Sequence, residues 1–105
     1  MKIFFNSTFI SKESLKDANI NYPIKLEYYK IINEDEILDG KKPKFGISID
    51  KTEYIKDKIN VENKTIKFLS NDEKKIENIL NLFKENEVTP ISAVDIICDL
   101  SKNII

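Results

Sequence analysis

The stretch SNDEKKIENILNLFKENEVTPISAVDIICDLS, Ser70 to Ser101, decides the fold. Ser70 followed by Glu73 matches a capping box, in which a hydroxyl and a carboxylate satisfy free backbone N–H groups at a helix start. Ile76, Ile79, Leu80 and Phe83 recur at i, i+3, i+4 and i+7, so they share one helical face. Lys74, Asn78, Asn81 and Glu85 point elsewhere. Asn86-Glu87-Val88 ends this helix, and Thr89-Pro90 starts another, because Thr is a good N-cap and Pro is preorganised for the first helical position. Ile91, Val94, Ile97 and Cys98 form an apolar stripe, widened by Ala93, Ile96 and Leu100, with Asp95, Asp99 and Lys102 on the polar side. The stretch reads as two amphipathic helices joined by a short connector.

Upstream the period changes to two. Ile24, Leu26 and Tyr28 alternate with Lys25, Glu27 and Tyr29, and Phe45, Ile47 and Ile49 alternate with Gly46, Ser48 and Asp50. Such alternation marks half-buried strands. Asn33 to Gly40 reads as a turn region ending in the reversal dipeptide Asp39-Gly40. That connection is too short for a crossover helix, so the two strands are expected to pair antiparallel. Tyr54 and Ile55 extend the second strand. Ile59 and Val61, then Ile66 and Phe68, flank Glu62-Asn63-Lys64-Thr65, which reads as a further hairpin. The expected fold is α+β: an antiparallel three- to four-stranded meander packed against a C-terminal helical hairpin.

Residues 1–21 read as an N-terminal segment of undecided structure, and residues 22–105 as a single α+β domain. Ile3, Phe4, Phe5, Phe9 and Ile10 suit a short first strand, and Ser11 to Ala18 suit a helix start. So apolar a beginning is expected to pack on the domain or on a second copy.

Composition sets further bounds. The 105 residues carry a formal net charge of −1 and only two Gly. Every basic residue is Lys; Arg, His, Trp and Gln are absent. Bidentate Arg contacts to phosphate or guanine are thereby excluded, as is histidine acid–base chemistry. A single cysteine, Cys98, precludes an intrachain disulfide and suits a reducing compartment. Its apolar neighbours Ile96, Ile97 and Leu100 make it an expected core residue. No apolar run approaches a membrane span, and the opening MKIFFNSTFISKES is too short in its apolar part for a secretory signal. The expected location is the cytoplasm, with no membrane association.

Candidate chemistry is sparse. Two helices joined by a tight connector invite a helix-turn-helix reading, but residues 70–105 hold Lys74, Lys75, Lys84 and Lys102 against Asp72, Glu73, Glu77, Glu85, Glu87, Asp95 and Asp99. A recognition helix exposing Asp95 and Asp99 repels phosphate. Asp95 and Asp99, one turn apart, lack the further oxygen ligands of a cation site. The acidic group Glu34, Asp35, Glu36 and Asp39 lacks the ligand order of a calcium loop. No nucleophile elbow or phosphate loop occurs. Lys41, Lys42 and Lys44 beside Tyr28, Tyr29 and Phe45 admit a single-strand nucleic-acid platform, with a hairpin rim over core aromatics as the alternative. No catalytic, cofactor-binding or metal-ligating residue is assigned.

From Leu26 to Ser101 the chain resembles a family of short, uncharacterised proteins of clostridia and related low-GC Gram-positive bacteria. The resemblance rests on an aromatic-Gly-Ile strand (Phe45-Gly46-Ile47), a helix start (Leu69-Ser70), a Val-Thr-Pro turn (Val88-Thr89-Pro90) and a closing Asp-x-Ile-x-Asp helix (Asp95-Ile96-Ile97-Cys98-Asp99). It departs from the family pattern at Ser92 and Val94, where relatives carry His and Lys, and at Cys98, where they carry an acidic residue. The resemblance implies a bacterial cytosolic protein and adds no activity and no site residues.

Three function classes follow. The first is a non-enzymatic protein-interaction or regulatory module, with a protein partner or a homodimer implied by the surplus apolar residues Phe4, Phe5, Phe9 and Ile104-Ile105. The second is a small ligand-binding protein or enzyme working through carboxylate, Lys or Tyr groups. The third and weakest is nucleic-acid binding. An open sheet edge or a flat apolar patch favours the first, and a pocket of converging polar groups favours the second.

Overall fold

A computed structural model of the chain describes residues 1–11, 20, 22–34 and 42–104, with the side chains of 101–104 outside the description. The helix start expected at Ser11 to Ala18, the Asp39-Gly40 turn and the side chains of Ile104-Ile105 therefore fall largely or wholly outside the described residues. Four strands, β1 (Lys2–Ile10), β2 (Ile24–Ile32), β3 (Phe45–Ile55) and β4 (Lys58–Ser70), precede two helices, α1 (Glu73–Glu85) and α2 (Pro90–Ile104). The sheet order is β1-β2-β3-β4, antiparallel throughout. This is the α+β meander with a helical layer that the periodicities predict, and residues 2–10 supply its first strand.

Register explains which side chains are covered. Opposite residues in an antiparallel pair share a face. Tyr28 faces Ile49, and Lys30 faces Ile47, so one face carries Ile24, Leu26, Tyr28, Ile47 and Ile49. These residues form a single core with Ile76, Ile79, Leu80 and Phe83 of α1 and Ala93 and Ile97 of α2. Both helices therefore lie on one side of the sheet. Phe5 and Ile10 of β1 pack against the same core, whereas Phe4 and Phe9 point away and stay exposed.

Three local expectations are corrected. The segment Glu62-Asn63-Lys64-Thr65 is no hairpin: β4 runs straight through it, and the reversal lies at Lys56-Asp57, between the paired residues Ile55 and Lys58. Pairing with β3 carries the strand through these polar residues, with Asp50 opposite Asn63 and Ser48 opposite Thr65. The cap of α1 is Asp72, whose carboxylate accepts from the N–H groups of Lys74 and Lys75 at 3.0 and 3.4 Å. The Ser70 hydroxyl instead accepts from Asp72 N–H. On α2 the covered stripe is Ala93 and Ile97 with Ile96 and Leu100 packed beside them, while Ile91, Val94 and Cys98 are exposed. The sheet lies under the 93/97 line, so the 91/94/98 line turns outward.

Between the helices, Val88 N–H donates to Phe83 C=O at 2.9 Å and Glu87 N–H to Lys84 C=O at 3.2 Å. This is a Schellman closure, with Glu87 in the left-handed region at φ 51°. Its hydrophobic contact joins Val88 and Phe83, both core residues. At the start of α2 the Thr89 and Ser92 hydroxyls lie 3.0 Å apart, Ser92 Oγ accepts from Thr89 N–H, and the Ser92 and Ala93 N–H groups donate to Thr89 C=O.

Candidate functional site

Where β3 meets β4, Phe45 pairs with Ser70 and Ile47 with Ile66, so Lys67, Phe68 and Leu69 all bulge opposite Gly46. A Cβ on Gly46 would collide with the carbonyl oxygens of Ile66 and Lys67, which accounts for glycine there by close approach, not by a special φ. The buried Asn33 amide holds the bulge by donating to Lys67 C=O at 2.8 Å and Pro43 C=O at 3.3 Å.

The bulge confines disruption of β4 to its last residues. From Lys58 to Ile66 the strand keeps one register with β3, and its outer side faces no other strand among the described residues. The opposite edge differs. β1 is shorter, and its pairing shifts between Phe4 and Asn6. Bulges of this kind blunt an edge against foreign strands, and an unbroken edge stays open to them.

Beside the open edge sits the start of α2. Glu62, Asn63, Lys64, Pro90, Ile91 and Val94 line a shallow groove of about 430 Å³ between strand and helix. Ile91 on the helix side is 79% exposed, and on the opposite face of the sheet Ile59 and Val61 of β4 are 65% and 59% exposed. A second shallow groove, lined by Lys75, Asn78, Ile79, Leu82 and Leu100, runs between the two helices.

Polar groups converge around Asn63, which bonds Ser48, Asp50 and Thr65, and at Glu53, near the β3–β4 turn. Asn60 Nδ2 donates to one carboxylate oxygen at 2.7 Å and Tyr22 Oη to the other at 2.8 Å, with Lys51 Nζ 3.8 Å away. The Asn60 and Tyr22 hydrogen bonds, in that order, hold the Glu53 carboxyl below the usual range against the opposing effect of burial. The same bond to Glu53 pushes the Tyr22 hydroxyl up. These groups satisfy one another, and the cluster lines neither groove; it pins Tyr22 to the long hairpin.

The residues singled out in the sequence are dispersed. Asp95 and Asp99 are exposed on α2, and no group of three or more potential ligands gathers among the described residues. Cys98, expected in the core, is exposed. Glu34 is exposed, while Asp35, Glu36 and Asp39 lie outside the described residues, as does Lys41. The Lys–aromatic cluster is divided: Lys42 lies over Phe68, Lys44 over Phe45, and Tyr28 is buried beneath the helices. Tyr29 faces the other side of the sheet, where Phe4 meets its ring edge-on and Lys2 sits 4.2 Å above it.

Sequence reasoning missed the β4 edge because Glu62-Asn63-Lys64-Thr65 has turn-like composition. The Ile59/Val61 alternation before it was the partial signal for the strand. It missed Lys30 too, which faces α1 and reaches Glu73 at 2.8 Å and Glu77 at 3.1 Å.

These features define a small α+β protein whose sheet has helices on one face and, among the described residues, an unbroken edge at β4. The chain belongs to a family of unknown function, DUF6514, whose model matches residues 5–103. No curated protein and no solved structure matches it. Among the described residues no helix is long and apolar enough to cross a membrane.

Proposed function

We propose that this chain is a bacterial, cytosolic, non-enzymatic interaction module that engages a protein partner along the outer side of β4. The observation that carries the reading is the unbroken edge from Lys58 to Ile66, unpaired among the described residues and lying beside exposed Ile91 and Val94. A strand added there gains main-chain hydrogen bonds, and the neighbouring apolar side chains supply selectivity. The partner replaces water on backbone groups already held straight by β3, so little ordering entropy is lost on this chain's side. Nucleic acid fits the edge poorly, because the groove carries Glu62 beside Lys64 and the chain as a whole is slightly acidic. A ligand-binding or enzymatic role has weaker support, since the polar groups at Glu53 bond to each other.

The test is capture from native bacterial lysate with the tagged chain and with a Val61→Lys, Ile91→Lys variant of matching circular dichroism. The reading expects a protein that co-purifies with the wild type and is lost with the variant. A bound small molecule without any protein, or a protein retained equally by both, overturns it.

A further inference from the structure

Resting on that reading, the identity of the partner can be taken further. A strand seated on β4 must present charges complementary to Glu62 and Lys64 on the helix-covered side, and β-branched or apolar groups to Val61 on the other. Glu62 pairs with Lys51 and Lys64 with Ile49 across β3, which places both on the helix side. Neither forms an ion pair within the chain among the described residues. The chain's own β4 meets the requirement.

Two copies of one strand pair antiparallel about a twofold axis normal to the sheet, which keeps each side chain on its face. Only registers centred on a residue are then allowed, because a one-residue slip would exchange faces. An axis through Glu62 or Lys64 sets like charges against each other. An axis through Asn63 sets Glu62 opposite Lys64 of the second copy, and Lys64 opposite its Glu62. On the other face it sets Val61 opposite Thr65 twice. The same axis leaves both α2 helices on one side of the joined sheet. The groove containing Ile91 and Val94 is floored by Glu62, Asn63 and Lys64, so it lies at the axis. Ile91, which this chain leaves exposed, is then placed to meet the second copy's groove.

We propose that β4 pairs with β4 of a second copy in the register centred on Asn63, with the Ile91–Val94 ridges of the two α2 helices closing over the axis. The resulting homodimer has one continuous sheet and a self-complementary charge pair at its centre.

Sedimentation of the full chain from micromolar to near-millimolar concentration tests this. The wild type dimerises. Glu62→Lys alone and Lys64→Glu alone each weaken dimerisation about tenfold or more, because each sets two like-charge pairs across the axis. An equimolar mixture of the two variants restores dimers, since each then meets opposite charge. Circular dichroism verifies that both variants fold. Should either fail to fold, Asn63→Cys in a Cys98→Ser background gives a second readout: oxidation links two copies through position 63. A wild type monomeric throughout, a mixture no tighter than either variant alone, or no link through position 63 overturns the proposal. A monomeric wild type that still captures a different protein, lost with Val61→Lys, leaves the edge-binding reading standing and removes only the second copy as its partner.

Discussion

The Tyr28 hydroxyl donates to the carbonyl of Val88 at 2.8 Å, tying the second strand of the sheet to the connector between the two helices. Tyr28 is fully buried and its ring meets Phe83 at a tilt. Burial, then the nearby Glu87 charge, pushes the hydroxyl well above its ordinary pKa, so it remains a donor. The bond fixes where α1 ends and α2 begins above the sheet, and so where Ile91 stands relative to β4. Tyr28→Phe is expected to cost about 1–2 kcal/mol, the loss on leaving a buried carbonyl unpaired. Urea unfolding checks this, with a lower midpoint and an unchanged slope.

Glu87 occupies left-handed backbone that favours glycine. Glu87→Gly is expected to stabilise the fold by about 1 kcal/mol, because the αL penalty of a side chain is removed. A rise in Tm under thermal circular dichroism is the expected outcome; a fall would mean that the Glu87 side chain makes a compensating contact.

Gly46 is the converse case. In Gly46→Ala the new methyl meets backbone oxygens of β4, which cannot swing aside as a flexible side chain would. The expected loss is about 1–3 kcal/mol, the range for overpacking, with Asn33 as first casualty because it holds the same bulge. Loss of stability together with a shifted Asn33 amide resonance is the measurement.

Much of this architecture was legible in the sequence. Ile76, Ile79, Leu80 and Phe83 announced the buried face of α1, and Ile24, Leu26 and Tyr28 that of β2. Helical periodicity alone did not orient α2, because its apolar residues cover more than one face. Which of them turn inward depends on the angle set by Val88 and Thr89 over the sheet. The edge character of β4 was equally hidden. Sheet order is a tertiary property, and Glu62-Asn63-Lys64 reads as a turn until β3 is seen to run beside it.

Glu53 gives the fold a pH dependence of definite sign. Its carboxyl is held below the usual range by Asn60 and Tyr22, so the ionised form stabilises the fold. That contribution is fully present above the unfolded-state pKa of about 4.3 and is lost as pH falls through the lower folded-state value. Glu53→Gln is therefore expected to cost more stability at neutral pH than at pH values below the folded-state pKa. Unfolding midpoints of both proteins across the acid range give the measurement.

Residue-resolved amide hydrogen exchange of the full chain tests binding at the β4 edge most directly. The comparison is between dilute and concentrated protein, with and without any captured partner. New protection is expected in residues 58–66 and near Ile91, with β1 unchanged. Protection gained along β1 or on the open sheet face, and none in β4, would contradict it.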